Sequence, residues 1–316
     1  MADTTFAIVF PGQGSQSVGM LKALAEAHAV VADTFAEASE RLGYDLWQRV
    51  QEGPAEALDQ THVTQPAMLA AGVAVWRVWR NAGGGDPRAM AGHSLGEYTA
   101  LTCADAIDFA DAVALVAERG RLMQAAVPPG EGAMAAILGL DDDTVRALCV
   151  EAAEDEVVEA VNFNSPGQVV VAGAAGGVER LIELARAAGA KRALKLAVSV
   201  PSHCALMKPA AEKLAEELGE VDMRMPRLTV LHNVTVAPAR DVVGLRENLA
   251  RQLYSPVRWG ETVGQMAAEG VDTVLELGPG RVLTGLTRRI DRRIKGLAVY
   301  DPASLDKALE AVQHAE

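Results

Sequence analysis

Short apolar runs alternate with helical periodicity along most of the chain. The first run, residues 6–10, ends in a proline-glycine turn, after which apolar residues recur at helical spacing. A second short run at residues 89–91 leads into a helix that begins near Glu97, and further helices are predicted at residues 65–79 and 109–126. Strands that alternate with helices predict a parallel sheet covered by helices, the α/β class.

The pattern changes after the break at residues 128–130, Pro-Pro-Gly. Strand, helix, strand, strand, helix and strand are predicted there, at residues 133–138, 141–151, 157–163, 168–172, 178–188 and 192–198. This order is typical of a ferredoxin-like unit. We therefore expect a small domain at residues 128–200, inserted into a larger discontinuous domain at 1–127 and 201–316, with a ligand cleft between them. The larger domain resumes with helices at 204–218, 242–253 and 261–268 and strands at 228–231 and 273–277.

Composition narrows the function classes. A net charge of −13 argues against a general nucleic-acid or anionic-membrane binder, so neither is expected as a partner. Cys103, Cys149 and Cys204 form no CxxC pair and have no metal-ligand spacing, which predicts a reducing, cytoplasmic compartment and no metal site. The N-terminus lacks the pattern of a signal peptide, and no apolar run is long enough to span a bilayer.

A serine flanked by two glycines is the strongest chemical signal in the chain. Ser94 stands between Gly92 and Gly96, directly after a predicted strand and before a predicted helix. A tight turn of this kind leaves no room for Cβ atoms beside it, exposes the serine hydroxyl, and places it at a helix N-terminus that can stabilise an oxyanion. We therefore predict that Ser94 is a nucleophile, although so short a pattern also arises by chance in loops.

A serine nucleophile needs a base, and His203 is the preferred histidine. It lies at the hinge where the chain returns to the larger domain, a position from which it can overhang Ser94. The alternative is a histidine that only packs locally at a helix N-terminus. His93 neighbours Ser94 but is expected to point away and to be structural. No supporting context singles out the four others, His28, His62, His232 and His314.

Two further features complete the predicted site. The turn after the first strand fits neither a GxGxxG nor a phosphate-loop pattern, but the Gln13 N–H, together with that of Leu95, could form an oxyanion hole. Arg119 and Met123 share one helix face, and a buried Arg119 facing the cleft would select a substrate carboxylate. A solvated surface arginine is the alternative.

The motifs that carry these residues occur together in one known family. The chain resembles the malonyl-CoA:acyl carrier protein transacylases from about residue 6 to about residue 300. The resemblance rests on the segments 10–16 (FPGQGSQ), 64–67 (TQPA), 92–98 (GHSLGEY), 119–124 (RGRLMQ), 162–168 (NFNSPGQ), 198–203 (VSVPSH) and 277–280 (LGPG). It implies an α/β-hydrolase-like core with a ferredoxin-like insert, in agreement with the pattern.

The resemblance also implies roles for individual residues. Ser94 becomes the nucleophile, His203 the general base and acid, and Arg119 the partner of the malonyl carboxylate, with the N–H groups of Gln13 and Leu95 as the oxyanion hole. The family orients its histidine with a main-chain carbonyl instead of a triad acid, and the matching residue here is Gln252. Gln65 and Asn162 match polar positions that line the pocket, although either could be an ordinary core amide.

The implied reaction is transfer of a malonyl group from malonyl-CoA to the phosphopantetheine thiol of acyl carrier protein, for fatty-acid synthesis. The resemblance implies no metal or redox cofactor. Three alternatives stay open: a serine esterase or thioesterase, a docking module without chemistry, and a discrete acyltransferase of a polyketide synthase. The choice between malonyl and methylmalonyl groups is assigned to the pocket wall near residues 198–202 and Met123. No self-complementary element is evident, so a monomer is expected.

An acidic carrier protein needs a basic docking surface on this acidic chain. We favour Lys191, Arg192 and Lys195, because the strand that holds them leads to His203. A second basic cluster lies near the C-terminus, at Arg288, Arg289, Arg292, Arg293 and Lys295. Either cluster could instead be a solvated face.

Overall fold

A computed structural model describes residues 5–198 and 200–313 of the chain. Their strands are β1 Phe6–Phe10, β2 Ala89–Gly92, β3 Gly132–Leu138, β4 Val158–Ser165, β5 Gln168–Ala174, β6 Arg192–Lys195, β7 Val230–Leu231, β8 Thr273–Leu277 and β9 Lys295–Val299. The helices are α1 Lys22–Ala27, α2 Val30–Leu42, α3 Leu46–Glu52, α4 Ala55–Leu58, α5 Thr61–Asn81, α6 Gly96–Cys103, α7 Phe109–Ala126, α8 Asp142–Ala153, α9 Ala175–Ala187, α10 Lys208–Glu220, α11 Val242–Gln252, α12 Trp259–Ala268, α13 Val282–Ile290 and α14 Pro302–Gln313, with a 3₁₀ turn at Ala205–Met207.

The larger sheet is parallel throughout and has the strand order β7-β2-β1-β8-β9. Its central strand β1 is buried on both faces, which is why its sequence reads as a continuous apolar run. Ile8 and Phe10 belong to the core under α5, α6 and α7, whereas Ala7 and Val9 belong to the core under α12 and α13. The carboxyl ends of β1 and β2 lie side by side, so the turns that follow them meet at one edge of the sheet.

The smaller sheet is antiparallel and has the strand order β4-β5-β3-β6. Helices α8 and α9 cover one of its faces, where Ile137, Val169 and Val171 form a separate core with Val145 and Leu181. With its β-α-β-β-α-β order, this unit is ferredoxin-like. The predicted fold class, α/β with a small inserted unit, is confirmed.

Strand β4 of the smaller sheet is joined to the segment between α11 and α12. The N–H of Phe163 donates to the carbonyl of Val257 (3.0 Å), and the N–H of Val257 donates to the carbonyl of Val161 (2.8 Å). At the start of β3, Gly132 packs against Pro201 so closely that a Cβ at Gly132 would lie 2.6 Å from the proline ring. The domain boundaries at residues 127/128 and 200/201 stay a prediction.

Several element bounds differ from the sequence pattern. The strand predicted at 192–198 ends at Lys195, because the chain leaves β3 after the Leu196 N–H bonds to Met134 and turns toward residue 200. The helix predicted at 204–218 begins at Lys208, after the 3₁₀ turn. Helices α3, α4, α13 and α14 and strand β9 were not predicted. Among residues 5–198 and 200–313, we find no helix with the length and apolar character needed to cross a membrane.

Candidate active site

Ser94 lies in a strained turn between β2 and α6. Its φ of 51° is in the left-handed region, which non-glycine residues rarely adopt. Both flanking glycines are required by close backbone contacts: a Cβ at Gly92 would lie 1.8 Å from Gly96 C, and a Cβ at Gly96 would lie 2.1 Å from Phe10 O. The turn therefore lifts the Ser94 hydroxyl above the carboxyl end of the sheet, as the sequence pattern predicts.

His203 meets Ser94 across the two parts of the chain. Its Nε2 lies 2.8 Å from Ser94 Oγ, and its Nδ1 lies 2.7 Å from the main-chain carbonyl oxygen of Gln252. Because a carbonyl oxygen can only accept, the proton is on Nδ1, which leaves Nε2 free to accept the hydroxyl proton of Ser94. His203 is 3% exposed and also has a left-handed φ, 68°. The ring is thus held in the tautomer that a general base requires.

Electrostatics keep His203 neutral. Burial, followed by the positive charge of Arg119, lowers the pKa of His203 to about 3, and the bond to the Gln252 carbonyl only partly opposes this shift. Burial likewise lowers the pKa of the neighbouring His93. A neutral imidazole that stays unprotonated at ordinary pH can take a proton from a serine.

Arg119 lies beside these two residues and is 1% exposed, so it is not a solvated surface arginine. Its Nη1 donates to Gln65 Oε1 (2.9 Å), and its Nη2 donates to Ser94 Oγ (3.2 Å) and to Gln252 Oε1 (3.0 Å). Its guanidinium also lies 5.3 Å from the centre of the Tyr98 ring. Within the described residues it has no carboxylate partner and its Nε has no hydrogen bond. A buried cation bound only to neutral groups is a ready site for an anionic ligand.

Gln252 contacts Ser94, His203 and Arg119. Beyond its carbonyl bond to His203, its side chain accepts from Arg119 and donates from Nε2 to the carbonyl of Ser94 (3.1 Å). Only its main-chain carbonyl was predicted from the sequence to contact His203. Its side chain was missed because α11 is distant in sequence from the serine turn, and no local pattern reports the contact.

The other predicted pocket residues line one cavity of about 130 Å³ above Ser94. Gln65 Nε2 lies 3.6 Å from the sulfur of Met123, and the Oδ1 of Asn162 is buried without a partner among the described residues. Gln13 and Leu95 face the cavity from the turns that follow β1 and β2. Val198, Val200 and Ser202, from the expected pocket wall, also line it, whereas Ser199 lies outside the described residues.

His93 lines the same cavity, although its side chain was expected to point away from that of Ser94 and to be structural. Its Nε2 lies 2.8 Å from Asn164 Oδ1, and its ring lies 5.6 Å from that of Trp259. The turn geometry separates it from Ser94, yet the cavity is wide enough for both side chains to border it.

A group of buried polar residues, Glu97, His232 and Asn233, contacts the main chain of the Ser94 turn. We call it the inner network. Glu97 Oε1 lies 2.7 Å from His232 Nδ1, and its Oε2 accepts from the Asn233 N–H at 2.7 Å. Asn233 Oδ1 in turn accepts from the Ser94 N–H at 2.8 Å. Sequence reasoning missed this group, but His232 and Asn233 directly follow the predicted strand 228–231, and carboxyl ends of neighbouring parallel strands share an edge.

Of the predicted docking residues, Arg192 and Lys195 lie on β6, an edge strand of the smaller sheet, and Lys191 directly precedes it. Lys191, Arg192 and Lys195 are exposed, and Lys195 forms an ion pair with Glu179 (2.8 Å). Arg192 pairs with Leu138 at the end of β6 that is farther from the cavity. Only the Lys195 end of the strand leads into the cavity wall.

Comparison with known proteins identifies the family. Residues 7–300 match the acyl transferase domain family. The malonyl CoA-acyl carrier protein transacylase of Escherichia coli K12 is 58% identical over 307 residues, which cover 97% of this chain and 99% of the relative. An acyl carrier protein S-malonyltransferase from Vibrio cholerae has a crystal structure with a TM-score of 0.95 and 60% identity, covering 96% of this chain and all of that one.

A third similar structure is a malonyl-transacylase in complex with its type II polyketide synthase acyl-carrier protein. It has a TM-score of 0.96 and 58% identity, and the match covers 98% of this chain and all of that chain. The match to the family extends over most of the chain, and the relatives are similar from end to end. The protein therefore belongs to the malonyl CoA-acyl carrier protein transacylase family of acyltransferases.

Proposed function

We propose that the protein transfers a malonyl group from malonyl-CoA to the phosphopantetheine thiol of acyl carrier protein, through a malonyl ester on Ser94. The observation that carries this proposal is the buried Arg119 guanidinium, which lies 3.2 Å from Ser94 Oγ and has only neutral partners among the described residues. A substrate with a carboxylate at one end and a thioester at the other would place each group against its partner. The names of the relatives support this choice of substrate and acceptor.

The first half-reaction follows from the geometry. Ser94 Oγ attacks the thioester carbonyl carbon while its proton passes to His203 Nε2, 2.8 Å away. The carbonyl oxygen takes the negative charge and accepts hydrogen bonds from the N–H groups of Gln13 and Leu95. Collapse of this intermediate breaks the carbon–sulfur bond, and His203 returns the proton to the departing CoA sulfur. The Gln252 carbonyl stabilises His203 while it carries the proton.

The second half-reaction runs these steps in reverse with a different thiol. His203 takes the proton of the phosphopantetheine thiol, the sulfur attacks the ester carbonyl, and Ser94 leaves with the proton returned by His203. Throughout, Arg119 holds the malonyl carboxylate with its two-pronged guanidinium, and Gln65 and Gln252 orient the guanidinium. Met123 and Asn162 border the space left for the acyl chain.

Product analysis separates this proposal from a thioesterase. Malonyl-CoA labelled in the malonyl group is mixed with the protein, with and without holo acyl carrier protein. We expect the label to move to the carrier protein, with free malonate only a slow side product. Rapid malonate release that the carrier protein does not divert would identify a thioesterase and contradict the proposal.

We assign the pathway to fatty-acid synthesis, with polyketide synthesis as the second candidate. The polyketide candidate is favoured by the similar transacylase that was solved with a type II polyketide synthase carrier protein. The transfer rates to carrier proteins of the two pathways, compared at equal concentration, decide between them. A higher rate to the polyketide carrier would overturn the assignment.

We propose that Lys191, Arg192 and Lys195 bind the acidic carrier protein. Their exposure and their position on the strand that leads to the cavity support this. The double variant Lys191→Glu/Arg192→Glu should raise the KM for carrier protein and leave acylation by malonyl-CoA unchanged, because the carrier protein docks only in the second half-reaction. The matched control reverses Arg288 and Arg292, in the second basic cluster. Equal effects of the first variant on both half-reactions would contradict the assignment.

We further propose a cytoplasmic location, a monomeric state and a pair of domain boundaries. A cytoplasmic location is supported by the three cysteines, which are free and buried. The domain boundaries 1–127 and 201–316 around 128–200 are consistent with separate cores for the two sheets. A monomer is proposed because no self-complementary element is evident in the sequence. Size-exclusion chromatography with light scattering tests the monomer, and limited proteolysis tests the boundaries.

A further inference from the structure

Asn233 contacts the turn that holds Ser94 and is fully buried. Its side-chain Oδ1 accepts from the Ser94 N–H at 2.8 Å, and its Nδ2 donates to the Gly92 carbonyl at 2.7 Å. Both partners are main-chain groups with a fixed polarity, one a donor and one an acceptor. The orientation of the amide is therefore set by chemistry, since only one arrangement satisfies both.

These two main-chain groups lie where the sheet no longer provides partners. The hydrogen bonds between β1 and β2 end with the His93 N–H and the Phe10 carbonyl, so the Ser94 N–H lies one residue beyond them. On the other side, β7 pairs with β2 only as far as Leu231 and Ala91. Two residues after Leu231, Asn233 satisfies with its side chain the groups that a longer strand would have satisfied.

The Asn233 backbone is itself fixed. Its N–H donates to Glu97 Oε2 at 2.7 Å, and its carbonyl accepts from the Arg258 N–H at 3.3 Å. Glu97 belongs to the first turn of α6, the helix that begins directly after the Ser94 turn, and it is also 0% exposed. Asn233 thus connects both ends of the turn, Gly92 before the serine and Glu97 after it.

From this arrangement, and given the proposed function, we infer that Asn233 is a positioning residue for acylation. It holds the left-handed Ser94 turn in the conformation in which Oγ meets His203 and the Leu95 N–H faces the cavity. A left-handed non-glycine residue is strained and persists only where its surroundings hold it. Without the two side-chain bonds, the turn can relax and move Oγ away from His203 while the acyl pocket stays in place.

The test uses two substitutions that separate hydrogen bonding from packing. Asn233→Leu keeps the side-chain volume but offers no hydrogen bond and excludes water. Asn233→Ala leaves room for a water molecule that can replace part of the bonding. If Asn233 acts by positioning, Asn233→Ala should slow formation of the malonyl-enzyme by about 100-fold, and Asn233→Leu should slow it at least as much. If it only fills space, Asn233→Leu should retain more activity than Asn233→Ala.

The rate of acylation is measured by rapid quench and intact mass after mixing with malonyl-CoA. Binding is measured separately as the Kd for malonyl-CoA in the Ser94→Ala background, where we expect Asn233→Ala to leave the Kd unchanged. Asn248→Ala is the matched control: Asn248 is a buried asparagine on α11 that has no hydrogen bond to the Ser94 turn. It should acylate at the wild-type rate.

Four results would overturn the inference. They are higher activity in Asn233→Leu than in Asn233→Ala, acylation by folded Asn233→Ala at the wild-type rate, a parallel loss of rate and affinity, and failure of both variants to fold, which would make the residue structural. A wild-type protein that forms no malonyl adduct would instead refute the proposed function. The two failures are therefore distinguishable.

Discussion

Two buried histidines, His203 and His232, have different partners. On the cavity side, His203 bonds to the serine hydroxyl and to a neutral main-chain carbonyl, and Arg119 lies nearby. In the inner network, His232 bonds to the Glu97 carboxylate at 2.7 Å, and its Nε2 has no partner among the described residues. The fold thus provides a histidine–carboxylate pair, but the pair does not touch the serine hydroxyl.

The difference shows what each pairing provides. A carboxylate beside a buried histidine binds it strongly and fixes the surrounding backbone, here through the Asn233 N–H. A carbonyl fixes the tautomer of His203 without adding a negative charge. That lack of charge suits a site that must also hold an anionic substrate against Arg119. We therefore expect the cavity side to control the rate and the Glu97–His232 pair to control stability.

The largest expected effect is the loss of the base. His203→Ala should slow formation of the malonyl-enzyme by about 10⁴-fold or more, because Ser94 then has no group to take its proton. Glu97→Gln should lower the free energy of unfolding by about 1–3 kcal/mol through loss of a charged acceptor, but change the acylation rate only a few-fold. Rapid-quench kinetics and urea denaturation measure the two effects. A larger rate loss in Glu97→Gln than in His203→Ala would reverse the comparison.

The next effect concerns the choice of acyl group. Arg119→Ala should lower kcat/KM for malonyl-CoA by about 10²- to 10³-fold, because the buried carboxylate then has no partner. The same variant should leave acetyl-CoA unaffected or improve it. Arg119→Lys is the control that keeps the charge but loses the planar fork. The ratio of kcat/KM for the two thioesters is the measurement, and an unchanged ratio in Arg119→Ala would exclude Arg119 as the selecting residue.

A smaller effect separates the two functions of Gln252. Gln252→Ala keeps the main-chain carbonyl that holds His203 but removes the side-chain bonds to Arg119 and Ser94. We expect the malonyl/acetyl ratio to fall by about tenfold, the value of one lost hydrogen bond to a charged group, while the pH dependence of acylation stays as in the wild type. A shifted pH profile would mean that the substitution displaced the carbonyl as well.

The smallest effect is on the pH dependence of stability. The folded protein holds His203 neutral, with a pKa of about 3, whereas the unfolded chain protonates it near 6.5. The contribution of His203 to the free energy of unfolding is therefore fully present above pH 6.5. It is lost as the pH falls below that value, at up to about 1.4 kcal/mol per pH unit. Urea denaturation between pH 7.5 and 5 should give a shallower slope for His203→Ala than for the wild type. His93, whose pKa is also lowered, adds to the slope in both proteins.

The sequence predicts the parts of this site that are local. The strand, turn and helix around Ser94 follow from spacing alone, since the glycines and apolar runs are adjacent in the chain. The order of elements in the smaller sheet follows from its alternating pattern. Strand β7 has only two residues, so its predicted bounds, 228–231, begin two residues too early. Helix α13 was not predicted, although its buried residues Leu283 and Leu286 recur at helical spacing.

Contacts between distant segments could not be predicted in the same way. Asn233 reaches Ser94 from a position 139 residues later, and the Gln252 side chain does so from 158 residues later. Asn233 follows the end of a predicted strand and Gln252 lies at a helix end, but neither position identifies the segment that the side chain contacts. Only the strand order, which places β7 beside β2, brings Asn233 to the turn.

The central claim is that Ser94 carries the acyl group and that His203 activates it without a carboxylate. Intact mass spectrometry after mixing with malonyl-CoA tests it most directly. We predict one added malonyl group on the wild type, mapped to Ser94 by peptide analysis, absent from Ser94→Ala and still formed by Glu97→Gln. No adduct on the wild type, or an adduct that persists in Ser94→Ala, would contradict the account.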